Sequence, residues 1–259
     1  MPPTECPATA IVIPARYGST RFPGKPLARQ TGKYLIQHVV EQAAKARRAQ
    51  FVLVATDDHR IFDAVRSFGG HAVMTSDSHH SGTDRIAEVM KRPEYQAVQI
   101  VVNVQGDEPD MDPGLIDALI EALEGSQVEM ATAAAPFAHD KEVANPNLVK
   151  VVTDQHHCAL YFSRAVIPFD RDRTGTLLGG DLRAYHRHVG IYAYRREALL
   201  QLAGTPVCDL ERIEKLEQLR ALYLGMKIFV LPATHVPQGV DTPEDYAAFV
   251  KRHQKNHEG

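Results

Sequence analysis

The chain has 259 residues, enough for one large α/β domain or a main domain with a small appendage, and 44% hydrophobic with 24% charged content suits a globular protein with a real core. Its formal net charge of −3 argues against a nucleic-acid or membrane surface, so a strongly anionic ligand would need a local cluster of cations. No basic leader opens the sequence, no apolar run approaches the ~18 residues of a membrane span, and Cys6, Cys158 and Cys208 lack paired spacing, so a cytoplasmic protein with reduced thiols is expected.

The first apolar run, Ala10–Ala15, reads as a buried strand: short, β-branched and ended by a loop. That loop belongs to IPARYGSTRFPGKPL (Ile13–Leu27), which carries three cations, two glycines and three prolines. Leu35–Ala46 has helical spacing, Phe51–Thr56 is a second buried strand, and His59–Phe68 is a helix closed by Gly69 and Gly70. Ser81–Met90 reads as a helix with Asp84 in its first turn, and Gln99–Val104 as a third strand running into the acidic loop QGDEPDMD. Asp112 and Pro113 then make an N-cap and first helical residue for a helix to about Leu123. This alternation predicts an α/β fold, a mostly parallel sheet with helices on both faces, and gathers the loops after Ala15, Thr56 and Val104 at one sheet edge.

From about Val128 the pattern changes. Leu148–Val152, Cys158–Ser163 and Val189–Tyr194 read as strands, with a turn at Asp154–His156, so residues 128–195 are expected to add antiparallel strands as a small lobe or dimerisation surface. Helix returns at Glu211–Leu222 and at Pro243–Arg252, the latter capped by Thr242, and Asp170–Gly180 reads as a mobile loop.

The basic loop is not an ATP-binding P-loop. Five residues, not four, separate Gly18 from Gly24, and Pro26 follows Lys25 where a hydroxyl would hold Mg²⁺. It still favours anions: the guanidinium forks of Arg16 and Arg21 and the Lys25 ammonium stand on a backbone stiffened by proline. A solvated basic turn is the plainer alternative. In the acidic loop, Asp107 stands where a divalent cation over phosphates would be held, with Glu108, Asp110 and Asp112 as alternatives on composition. Asp241, before the Thr242–Pro243 helix start, is a second carboxylate that could face the same edge. His186 and His188 share a strand face but have no third metal ligand, and the pairs His79–His80 and His156–His157 read as loop residues.

Eight stretches in order then resemble one family: the opening loop, ATDD (55–58), HSGTDR (80–85), NVQGDEP (103–109), YFSRAVIPFDRD (161–172), HVGIYAY (188–194), EKLEQLR (214–220) and GVDTPED (239–245). They are similar to the 3-deoxy-manno-octulosonate cytidylyltransferase family, also called CMP-Kdo synthetases, from about Ile11 to Phe249. The resemblance implies a nucleotide-diphospho-sugar transferase (Rossmann-like) fold over residues 1–259, with 128–195 as a dimerisation lobe of a homodimer. It implies that CTP and Kdo yield CMP-Kdo and pyrophosphate for lipopolysaccharide, with Mg²⁺ and without nucleic-acid or membrane partners. Carried over, Arg16, Arg21 and Lys25 would hold the triphosphate and neutralise departing pyrophosphate. Asp107 and Asp241 would bind Mg²⁺, and Ser81, Arg85 and Gln105 would lie at the nucleotide. Arg164, His188, Tyr192, Glu214 and Gln218 would grip the sugar acid. The chain departs from the family pattern at Asp209, preceded by Cys208, where the family commonly carries proline; Asp209 is expected to cap the following helix still. A related acceptor, 8-amino-Kdo or sialic acid, stays open, while a nucleotide-binding regulator without catalysis is disfavoured because the loop cations and carboxylates are all present.

Overall fold

The first strand, β1 (Ala8–Ala15), buries Ala10 to Ile13 completely, as a strand covered on both faces must. The computed structural model describes residues 8–18, 21–171, 182–234 and 236–255. The chain divides into two units, Met1–Ile120 with Pro237–Gly259, and Glu121–Val236.

In the first unit β1 is followed by α1 (Leu35–Ala43), β2 (Phe51–Thr56), α2 (His59–Ser67), β3 (Ala72–Met74), α3 (Gly82–Met90), β4 (Val98–Asn103) and α4 (Pro113–Glu124), which runs just past the division. The sequence dictates the helix ends. Asp58 accepts from the Arg60 amide at 2.9 Å, Ser81 from the Asp84 amide at 3.0 Å and Asp112 from the Gly114 amide at 2.8 Å, each satisfying an orphan donor of a first turn. Helix α1 stops short of the expected Ala46, because its last turn tightens: Ala46 donates to the Ala43 carbonyl rather than one residue further back. Strand β3 was not legible, being only three residues long.

The strands of this unit are all parallel, in the order β3-β2-β1-β4. β1 thus lies between β2, its successor, and β4, reached by a long crossover. The order of the strands switches between β1 and β4, which places a ligand crevice beyond their carboxyl ends. Gly106, just past β4, fits because it has no side chain: a Cβ there would sit 2.9 Å from the Pro14 carbonyl oxygen.

The second unit contains β5 (Met130–Pro136), α5 (Asp140–Val143), β6 (Lys150–Thr153), β7 (Ala159–Ser163), β8 (His186–Arg195), α6 (Arg196–Gly204), α7 (Asp209–Glu214), α8 (Gln218–Tyr223) and β9 (Ile228–Pro232). β5 pairs antiparallel with β8 and parallel with β9, and β6 pairs antiparallel with β7 and β8, so antiparallel strands enter where expected. Three details correct the sequence reading. Glu211–Leu222 is not one helix: Lys215 takes a left-handed conformation, φ 55°, and splits it into α7 and α8. Cys208, not Asp209, occupies the N-cap of α7; Asp209 is its first helical residue and pairs with Arg212 at 2.8 Å. Alanine-rich β5 and the short β9 add strands that the sequence reading lacked. Of the Asp170–Gly180 loop only Asp170 and Arg171 fall within the described residues, and Cys6 falls outside them.

Helix α9 (Pro243–Lys255) returns to the first unit and runs past the expected Arg252. Thr242 and Asp245 cap it reciprocally: the Asp245 amide donates to Thr242 Oγ1 at 3.2 Å and the Thr242 amide to Asp245 Oδ2 at 2.9 Å. Its Tyr246, Phe249 and Val250 form a buried cluster with Leu35 and Val240, against which Phe22 of the basic loop packs. Each such side chain contributes about 1.5–3 kcal/mol on burial. Gly106→Ala should lower unfolding free energy in denaturant by roughly 1–3 kcal/mol, through the forced shift at Pro14; wild-type stability would mean the loops give way freely.

Candidate active site

The described residues of the basic loop, which exclude Ser19 and Thr20, are tied down at several points. Gly24 adopts φ 70°, and its amide donates to the Tyr17 carbonyl at 3.1 Å. The Tyr17 ring in turn has the Arg60 guanidinium carbon 3.4 Å from its centroid, a cation–π contact joining the loop to α2. From α9, the Tyr246 ring lies 5.8 Å from Phe22, and its hydroxyl accepts from the Gln30 amide at 2.8 Å.

These contacts hold Lys25 beside two carboxylates. Lys25 Nζ donates to Asp107 Oδ2 at 2.7 Å and lies 3.4 Å from Asp241 Oδ1, while Arg21 Nη2 lies 3.3 Å from the same Asp241 oxygen. A backbone bond explains how Asp107 and Asp241 come together: the Val240 amide donates to the Asp107 carbonyl at 2.8 Å. Arg16 is exposed and, among the described residues, has no partner, so its five N–H donors are available.

Arg16, Arg21, Lys25, Asp107 and Asp241 line a cleft of about 230 Å³ at the carboxyl ends of β1 and β4. A second cleft, about 180 Å³, shares Pro14, Ala15, Arg16 and Gln105 with the first and adds His79, His80, Ser81 and Arg85. The donor set suits Mg²⁺: two hard carboxylates beside a cation-lined cleft are what that ion takes when phosphate oxygens complete its shell. Among the described residues no group of three or more His, Cys, Asp or Glu could hold a metal without such help.

The other nucleotide candidates have local duties as well. Ser81 Oγ caps α3. Arg85 is buried, and its guanidinium donates to Asp57 at 2.9 Å and Thr75 at 2.5 Å, so it ties α3 to the ends of β2 and β3 while lining the second cleft. Gln105 donates to Asn103 at 3.3 Å and borders both clefts. Tyr17 and Arg60 were invisible in the sequence, because nothing local links residues so far apart in the chain. His79 and His80 had one signal, their place beside Ser81.

In the second unit Arg164 and Glu214 meet directly. The Glu214 carboxylate accepts from the Arg164 amide at 2.9 Å and Ser163 Oγ at 2.6 Å, and Arg164 Nε donates to the Glu214 carbonyl at 2.7 Å. The left-handed Lys215 ends α7 at Glu214, directly beside these contacts. His188 and Tyr192 also form a pair, their rings 5.4 Å apart, with His188 Nε2 3.0 Å from Thr132 Oγ1. His188 keeps some accessible surface, yet burial of its ring pushes its pKa down to about 3, so the imidazole is neutral; burial likewise pushes the Tyr192 hydroxyl well up. Gln218 is buried at the start of α8, and no hydrogen bond joins it to either pair.

Comparison with known proteins adds three findings. The family model described as Cytidylyltransferase matches residues 10–228. Two curated relatives, each named 3-deoxy-manno-octulosonate cytidylyltransferase, are similar over nearly the whole chain: that of Syntrophotalea carbinolica is 50% identical (90% of this chain, 94% of the relative), and that of Vibrio vulnificus 51% (91% and 94%). A solved structure of CMP:2-keto-3-deoxy-manno-octonic acid synthetase complexed with CTP superimposes with a TM-score of 0.87 at 40% identity, covering 96% of this chain and 99% of the other.

The neutral imidazole of His188 carries a stability consequence. An unfolded histidine takes a proton near its ordinary value of 6.5, while the folded one resists until about 3, so acidification through that window favours unfolding. Between about pH 7 and about pH 4.5, wild type should lose roughly 1–2 kcal/mol more stability than His188→Asn in denaturant melts. Equal losses would show that this ring is free to protonate in the fold.

Proposed function

The chain belongs to the cytidylyltransferase family, and we infer that it couples CTP to 3-deoxy-manno-octulosonate, forming CMP-Kdo and releasing pyrophosphate. The observation that carries this reading is the convergence of Arg16, Arg21 and Lys25 with Asp107 and Asp241 on one cleft at the β1/β4 crevice. Likeness to the Kdo cytidylyltransferases over nearly the whole chain supports the acceptor. A place in lipopolysaccharide synthesis follows from that product.

In this reading Arg16 presents its open guanidinium to phosphate oxygens, and Arg21 and Lys25 neutralise the charge that grows on the departing pyrophosphate. The anomeric hydroxyl of Kdo attacks the α-phosphorus in line. One oxygen–phosphorus bond forms as the bond to the β-phosphate oxygen breaks, and the hydroxyl proton is released to solvent. Positioning and charge neutralisation supply most of the acceleration, so no dedicated side-chain base is assigned. Asp107 and Asp241 would hold Mg²⁺, which when bound neutralises phosphate charge. Ser81, Arg85 and Gln105 border the nucleotide in this scheme. Arg164, His188, Tyr192, Glu214 and Gln218 are assigned to the sugar acid, with His188 acting as a neutral hydrogen-bonding group.

A homodimer is proposed through the second unit, where Leu160, Phe169, Val207 and Ile213 are exposed apolar side chains whose burial a second copy would favour. A cytoplasmic site of action is proposed because CTP is supplied there; Cys158 and Cys208 are free thiols, and no helix among the described residues is long and apolar enough to cross a membrane.

Pyrophosphate release should be fastest with CTP and Kdo when each NTP is tried against Kdo, 8-amino-Kdo, sialic acid and a hexose 1-phosphate. Activity confined to the sugar phosphate would sink the assignment. Arg21→Ala, at a side chain 65% exposed, should raise the KM for CTP roughly tenfold or more with an unchanged melting temperature. Unchanged kinetics would return the loop to a solvated turn. Asp107→Asn or Asp241→Asn should lower Mg²⁺-dependent kcat by on the order of a hundredfold, and near-normal rates would remove the metal assignment.

A further inference from the structure

The oxygens assigned to Mg²⁺ are already in use. Asp107 Oδ2 is bonded to Lys25 Nζ at 2.7 Å, and Asp241 Oδ1 lies within 3.4 Å of Lys25 and 3.3 Å of Arg21. Two carboxylates thus face two side-chain cations. The cluster is also held in place. The Lys25 side chain is only 11% exposed, and it rises from a short helical turn fixed by left-handed Gly24 and by the Leu27 amide on the Gly24 carbonyl at 2.9 Å. The neighbouring carboxylate is engaged elsewhere through one oxygen: Asp245 Oδ2 accepts from the Asp241 and Thr242 amides and from Thr242 Oγ1.

Resting on the Mg²⁺ reading above, we propose that Lys25 and Arg21 are resident counter-ions that a divalent cation must displace from Asp107 and Asp241. The displaced pair are the cations that then take the triphosphate. A divalent ion arriving alone leaves two unpaired side-chain cations beside it. A triphosphate arriving alone draws the cations away and sets its own charge against two bare carboxylates. Arriving together, metal and nucleotide leave every charge faced by its opposite, so each strengthens the other's binding, reciprocally. Arg16, exposed and without a partner among the described residues, is the cation open to phosphate before the exchange. Lys25 is therefore more than a phosphate ligand: its charge couples the binding of the metal to that of the nucleotide.

The test is Mn²⁺ binding to the full chain with no nucleotide added, read by electron paramagnetic resonance, for wild type, Lys25→Met, Arg21→Ala and Asp107→Asn. Lys25→Met should tighten Mn²⁺ binding about tenfold or more, and Arg21→Ala by a smaller factor. Arg21 is largely exposed, so its variant keeps the test valid should Lys25→Met fail to fold. Asp107→Asn should lose binding. Mn²⁺ affinity unchanged in both cation variants but lost in Asp107→Asn would overturn the counter-ion proposal and leave the metal assignment standing. Equal affinity in wild type and Asp107→Asn would remove the metal assignment and this proposal with it.

Discussion

Lys25 is the cation on which the site is built. Its ammonium touches carboxylates 82 and 216 residues further along the chain, and its side chain is nearly buried. Like charges gathered this closely repel unless opposite charges stand among them, so the basic and acidic loops stabilise each other. On the proposed reading the same groups have opposite uses: cations for phosphate oxygens, carboxylates for a divalent ion. Cations and carboxylates standing together in one cleft let ligands of both signs find opposite charge there.

Two features of the fold place those loops together. Strand order opens a crevice between β1 and β4, and Gly106 lets the acidic loop approach Pro14 closely. Helix α9 then returns from far along the chain to pack Tyr246, Phe249 and Val250 on Leu35 and Val240. This apolar cluster anchors Phe22 in the basic loop and, through Val240, holds Asp241 beside Asp107. Ordinary hydrophobic packing thereby positions charged groups that would otherwise separate into water.

Much of this was legible before any coordinates. β-branched runs and capping residues located β1, β2, β4, α2, α3, α4 and α9, because those signals are local. The three loop cations and Asp107 stood out because charge at a strand's end needs a reason, Asp241 because it stands just before a helix start, and the structure brings Arg21, Lys25 and both carboxylates within 3.4 Å contacts. What stayed hidden depends on distant partners. The break at Lys215 runs against strong helical propensity in ERIEKLEQLR and accompanies the contacts of Glu214 with Ser163 and Arg164. Asp209 looked like a cap because of its residue type, but the cap position falls one residue earlier. β5 is largely alanine, which favours no strand by itself and gains one from β8 and β9 on either side. The direct contact of Lys25 with the acids it was expected only to face is likewise a product of tertiary packing.

The most direct test of this account is a crystal structure of the chain grown with CTP and Mn²⁺, with the metal located by its anomalous scattering. The account predicts a metal peak on Asp107 and Asp241, with Lys25 and Arg21 moved from those carboxylates onto the triphosphate and Arg16 beside them. A triphosphate seated away from the basic loop, or a metal touching neither carboxylate, would contradict it.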